Sequence, residues 1–161
     1  MINDINNNQA IFTSRIDRNL DLLLEIWSEK IYPKQKNCKL LVTPSSNVSG
    51  KFNIINRELG SQQNMINDLL KSRVYLVPGH KAELYCLAAE EARELCLPIV
   101  TLGIGSLSER VINGKTGFVA QNTNQFAEYT IELFNNNKLW LEMKNNLVKL
   151  RGKNNWTNSA I

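Results

Sequence analysis

Short apolar runs alternate along the chain with stretches whose apolar residues recur at helical spacing. Ala10-Ile11-Phe12-Thr13 reads as a strand. Leu20, Leu23, Leu24 and Trp27 then mark a helix, with Asp17 as its predicted cap and Pro33 as its stop. Cys38 to Thr43 reads as a second strand, broken by Pro44-Ser45-Ser46-Asn47, and Phe52 to Ile55 as a weaker third. Met65, Leu69 and Leu70 predict a helix, and Val74 to Val77 a strand ending at Pro78-Gly79. Leu84, Leu87, Ala88, Ala92 and Leu95 supply a further helical face, after which Pro98 to Leu102 is extended. Beyond the loop Gly103 to Ser106 the pattern gives a short helix over Leu107 to Ile112, a turn at Asn113-Gly114 and a strand over Gly117 to Ala120. Two helices close it, Gln125 to Phe134 and Lys138 to Arg151.

Strands and helices in this alternation predict an α/β domain, a doubly wound, Rossmann-like parallel sheet with helices on both faces. Its expected bounds are residues 10–152, with 1–9 as a linker and 153–161 as a tail or the start of a final helix. In such folds ligands bind beyond the carboxyl ends of the strands. The segments of interest are therefore 14–19, 43–49, 78–85 and 103–108.

Composition narrows the function classes. At 161 residues, 43% hydrophobic and 21% charged, the chain is an ordinary globular length and make-up, which argues against disorder and low-complexity architectures. No apolar run approaches the roughly 20 residues of a membrane span, and the start of the chain lacks a signal-peptide pattern, so a cytoplasmic location is expected. Three cysteines without CxxC spacing and a single histidine disfavour disulfide and structural-metal scaffolds; no metal site is expected. The net charge of +4 would suit a phosphate-bearing partner, yet basic residues are scattered and mostly interleaved with acids, so no nucleic acid is expected as partner.

The densest chemical signal is Pro78-Gly79-His80-Lys81-Ala82-Glu83 through Glu91-Ala92. Glu83 and Glu91 are eight residues apart, roughly 12 Å if the segment is helical, comparable to the span between ribose and sugar in a nucleoside-diphosphate sugar. Between them a helix N-terminus would offer the free N–H groups of Leu84, Tyr85 and Cys86 to a diphosphate. Carboxylates at each end could accept hydrogen bonds from vicinal hydroxyls. Spacing alone leaves the commoner alternative open, in which Glu83 is only a helix-terminal charge and Glu90-Glu91 a solvated face.

The surrounding text resembles the C-terminal, donor-binding half of the retaining two-domain nucleotide-sugar glycosyltransferases (glycosyl transferases group 1), which carry an E-x7-E motif. Here that motif is Glu83 to Glu91. Glu91-Ala92-Arg93-Glu94-Leu95-Cys96-Leu97-Pro98-Ile99-Val100 is similar to the family's E-A-x-A-x-G-x-P-V-V, and Gly105 to Phe118 to its G-G-x-x-E-x-V-x-x-G-x-x-G-F. Upstream, Arg18-Asn19-Leu20-Asp21-Leu22-Leu23 looks like K-[GN]-x-[DE]-x-L-L, and Trp156 sits near a late tryptophan. The resemblance implies that Glu83 contacts the donor sugar and Glu91 the ribose. The amides of Leu84 to Cys86 would hold the diphosphate, whose charge Arg15 and Arg18 would neutralise, and Gly105 and Ser106 would also bind the donor. His80 and Lys81 are accessory. It implies no cofactor and no metal ion, the donor being the substrate. The sequence departs from the family where Leu84-Tyr85-Cys86 replaces G-F-G, where Cys96 and Ser106 replace glycines, and in the three-residue spacing of Arg15 and Arg18.

The leading expectation is hexose transfer with retention from a nucleotide sugar to an acceptor hydroxyl, the isolated chain being weakly active or inactive. An N-terminal acceptor-binding domain, in cis or in trans, is the implied partner, and peripheral association with a membrane stays open. The alternatives are a non-catalytic nucleotide-sugar-binding or assembly module and, more weakly, half of a sugar-nucleotide epimerase.

Overall fold

The computed structural model describes residues 7–153; Trp156, the first six residues and most of the expected tail lie outside this range. Six strands form one sheet, β1 (Gln9–Phe12), β2 (Lys39–Val42), β3 (Ile54–Asn56), β4 (Val74–Leu76), β5 (Ile99–Thr101) and β6 (Gly117–Val119), in the order β3-β2-β1-β4-β5-β6. Every pairing is parallel, and helices cover both faces. The predicted Rossmann-like architecture is therefore the observed one. Every residue of β1, β4 and β5 is buried, which is why these segments read as continuous apolar runs rather than as alternating ones.

Five α-helices connect and close the sheet: α1 (Leu20–Ile26), α2 (Gln62–Leu70), α3 (Leu87–Glu94), α4 (Thr123–Asn135) and α5 (Asn137–Lys153). Pro33 does not stop α1 as expected. The helix widens into a π turn, Trp27–Ile31, and tightens into a 3₁₀ turn, Tyr32–Lys34, where Pro33 takes an early position that needs no N–H donor. Trp27 is fully buried, meets the Phe134 ring of α4 edge-on at 6.4 Å and donates its indole N–H to the Phe52 carbonyl at 2.8 Å. Asp17 is not the cap of α1. Asn19 holds that position in the left-handed region, φ 64°, without a side-chain cap, while Asp17 pairs with Arg15 at 2.7 Å.

All segments that follow strand ends gather at one end of the sheet. There Gly79 and Ile104 continue the parallel pairing of β4 and β5 beyond the strands, which draws the segments 78–86 and 103–106 against each other.

Candidate functional site

The site is built from the turn after β1, the segment after β4 and the turn after β5. Gly105, at φ +70°, lies so close to the second of these that a Cβ there would meet the His80 carbonyl oxygen at 2.3 Å and that of Glu83 at 2.9 Å. The Ser106 N–H donates to the Glu83 carbonyl at 3.1 Å. This bond fixes the backbone at Glu83 and removes the carbonyl that would otherwise begin a helix there.

As a result α3 starts at Leu87, with Cys86 as its cap, three residues later than the apolar pattern implies. Leu84 is almost fully exposed and belongs to no helical face. The spacing of Glu83 and Glu91 is therefore not a helical rise, since only the second half of the segment is helix. No acceptor among the described residues takes the N–H of Leu84, Tyr85 or Cys86, and the first-turn amides Leu87 and Ala88 follow, without intrahelical acceptors. Successive amides thus remain open at the N-terminal end of α3, where the helix dipole favours an anion.

Arg18 and Glu83, far apart in sequence, come together here, Nε to Oε2 3.4 Å, with both side chains mostly buried. His80 completes the group. Its Nδ1 accepts the Ala82 N–H at 3.0 Å and lies 3.5 Å from Arg18 Nη1, so the neutral ring carries its proton on Nε2. Arg15 points away and pairs with Asp17, both largely exposed. Lys81 is exposed and forms no ion pair among the described residues. Glu91 is half-buried on the side of α3 facing α2, where it lines a cavity of about 200 Å³ with Gln62, Met65, Leu69, Leu87 and Leu95.

Beneath the site, the Tyr75 hydroxyl lies 3.1 Å from Thr13 Oγ1 and 3.3 Å from Ser14 Oγ, and Ser14 Oγ lies 4.0 Å from Cys86 Sγ. Burial pushes the Tyr75 phenol up to about 12 and raises the Cys86 thiol as well. Cys86 is thus a protonated packing group rather than a thiolate nucleophile.

The sequence reading missed Glu90, which is no solvated residue. It is buried, with Oε2 3.0 Å from Arg93 and Oε1 3.1 Å from Arg110, whose guanidinium stacks 4.2 Å above the Tyr85 ring. The Arg110 contact is an ion pair with poor alignment, as neither Glu90 Oε1 nor Arg110 Nε has a hydrogen-bond partner among the described residues. Both residues fall at unspecified positions inside the family-like motifs, Glu90 within Glu83 to Glu91 and Arg110 within Gly105 to Phe118, so the motifs themselves gave no signal for the pair.

A family model described as glycosyl transferases group 1 matches residues 6–149. No match is found among the curated proteins. Among solved structures, TarM from S. aureus, in complex with fondaparinux, alpha-GlcNAc-glycerol and UDP, superposes with a TM-score of 0.73 at 20% identity, covering 89% of this chain and 32% of that one. HepE from Anabaena, in complex with UDP and glucose, gives 0.74 at 12% identity, covering 92% and 44%. The C-terminal domain of the group 1 family protein LpcC from Francisella tularensis gives 0.70 at 16% identity, covering 90% and 84%. The chain thus spans about a third of TarM and most of an excised C-terminal domain. These structural likenesses carry the fold, and the match over residues 6–149 carries the lineage: the chain belongs to the group 1 glycosyltransferases.

Proposed function

We propose that residues 10–152 are the donor-binding half of a retaining, metal-independent glycosyltransferase that moves a hexose from a nucleoside-diphosphate sugar to an acceptor hydroxyl. The observation that carries the reading is the pairing of Arg18 with Glu83 immediately ahead of the open amides of Leu84 to Ala88, at the carboxyl end of the sheet. Structures in complex with UDP among the similar folds support it. In this reading the diphosphate lies against those amides with Arg18 as countercharge, Glu83 accepts from sugar hydroxyls, and Glu91 accepts from the ribose. As the nucleoside diphosphate leaves, charge grows on its phosphate oxygens, where fixed donors and the guanidinium stabilise the transition state. Arg15 would join only by leaving Asp17. Acceptor binding and transfer would require a second domain, which the one-third coverage of TarM supports, and the site of action would be cytoplasmic.

Calorimetric titration with UDP, GDP, ADP and their sugar conjugates, without metal and then with magnesium, tests the reading. One nucleotide family should bind without metal. Glu91→Ala should weaken that binding by about 1–3 kcal/mol through lost charged hydrogen bonds, and unchanged affinity would overturn the ribose assignment. Glu83→Ala should spare the free nucleotide and weaken only the sugar conjugate; equal losses for both ligands would refute that division of roles.

A further inference from the structure

The net positive charge of this protein comes from one segment. Between Lys30 and Arg57 there are six basic residues and no acidic one, whereas the rest of the chain holds thirteen basic against fifteen acidic residues. Arg57 is neutralised by Asp68 at 3.1 Å, and Lys30 donates to Asn124. Lys34, Lys36, Lys39 and Lys51 are exposed, and none has an ion-pair partner among the described residues.

The fold brings these four lysines to one corner. Lys34, Lys36 and Lys39 lead into β2, and Lys51 leads into β3, so all stand at the amino-terminal end of the sheet, opposite the site described above. The corner is braced: Asn53 Nδ2 donates to the carbonyls of Lys36 at 3.0 Å and Cys38 at 3.2 Å, and the Asn53 carbonyl accepts from the Leu40 N–H at 3.0 Å. Phe52 projects from it, 41% exposed, its ring edge-on to Tyr32 at 5.6 Å. Phe52 and Asn53 are both left-handed, φ 59° and 54°. That conformation suits Asn and disfavours a bulky aromatic side chain, so local backbone preference does not account for a phenyl ring there.

We infer that this corner docks on a lipid bilayer bearing anionic headgroups, with Phe52 entering the interface and the four lysines held over the phosphates. The absence of arginine among the four suits a diffuse negative surface rather than bidentate recognition of individual phosphates. An exposed aromatic ring at the same corner as lysines whose stems can lie along the interface is the make-up of a peripheral membrane contact. Docking there turns the nucleotide site away from the bilayer and leaves it open.

The test is sedimentation of the full chain with phosphatidylcholine vesicles, and with vesicles in which about one third of the lipid is phosphatidylglycerol. Binding should be confined to the anionic vesicles and lost at about 0.5 M salt. Each lysine among the four replaced by Gln should lower partitioning about fivefold, and Phe52→Asn, which relieves the backbone and so leaves the fold intact, should lower it several-fold. Absence of sedimentation with anionic vesicles, or undiminished binding by the fourfold Gln variant, would overturn the inference. Preferential retention on single-stranded DNA would overturn it too, assigning the corner to nucleic acid. UDP titration of the same proteins should be unaltered by vesicles and by these substitutions, so a failure of nucleotide binding bears on the proposed function and not on this surface.

Discussion

The Tyr75 hydroxyl ties the end of β1 to β4, next to it in the sheet, and is a buried group whose titration the fold resists. Burial pushes the phenol from 10.0 to about 12, with its bonds to Ser14 and Thr13 working the other way. A folded-state value above the unfolded one means that the native protein keeps a proton the unfolded chain releases. The associated stability is whole below pH 10 and falls as the pH rises from 10 to 12, by on the order of 2–3 kcal/mol. Cys38, raised by burial to about 11, adds to the same alkaline loss from a lower starting pH. Tyr75→Phe should lower stability at neutral pH by about 1 kcal/mol, from lost hydrogen bonds, yet flatten the fall above pH 10. Urea midpoints measured across that range check this, and parallel curves for the two proteins would refute it. The resemblance put Arg18 and Glu83 at one donor site, each facing a different part of the donor, but their ion pair with each other was not legible in the motifs. Nor was the fate of Arg15: Asp17, two residues away, captures it, and no pattern of spacing encodes which local carboxylate a surface arginine will choose.

Strands and helices were legible in kind and order because a parallel sheet buried on both faces writes itself as apolar runs, and six such runs became six strands. The boundaries that failed did so where tertiary contacts outweigh periodicity. Leu84 sits at helical spacing from Leu87 and Ala88, but Ser106 takes the Glu83 carbonyl and α3 begins later. Gly105 is what lets Ser106 approach. Gly105→Ala would place a methyl 2.3 Å from the His80 carbonyl oxygen at a φ of +70°. Left-handed strain and overpacking together predict a loss of about 2–4 kcal/mol, with displacement of the Glu83 segment and weaker nucleotide-sugar binding. Thermal unfolding with parallel ligand titration reads both effects. Unchanged stability would mean that the turn yields easily and does not set the position of Glu83.

The sheet and the C-terminal helices are joined through one buried arginine. Arg73, just ahead of β4, donates Nε to the Leu133 carbonyl at 2.7 Å and Nη2 to Asn137 Oδ1 at 2.7 Å, and stacks 4.6 Å from the Trp140 ring centroid. Leu133 belongs to the last turn of α4, whose carbonyls have no intrahelical donors, so the guanidinium satisfies a helix end in the interior and complements its dipole. Trp140 returns the contact by donating its indole N–H to the Arg73 carbonyl at 2.8 Å. An isolated buried arginine would be costly; its value here lies in closing three elements around one side chain. Arg73→Ala should therefore cost about 3–5 kcal/mol, from a cavity and a buried carbonyl left unpaired, and Trp140→Phe should cost less. Because the two residues share a ring contact and a reciprocal bond, the double variant should fall short of the sum by about 0.5–3 kcal/mol. Chemical denaturation of the four proteins measures that coupling. Strict additivity would mean that Arg73 anchors α4 and α5 independently of the tryptophan, as a contact separate from the burial of Trp140, Met143 and Leu147.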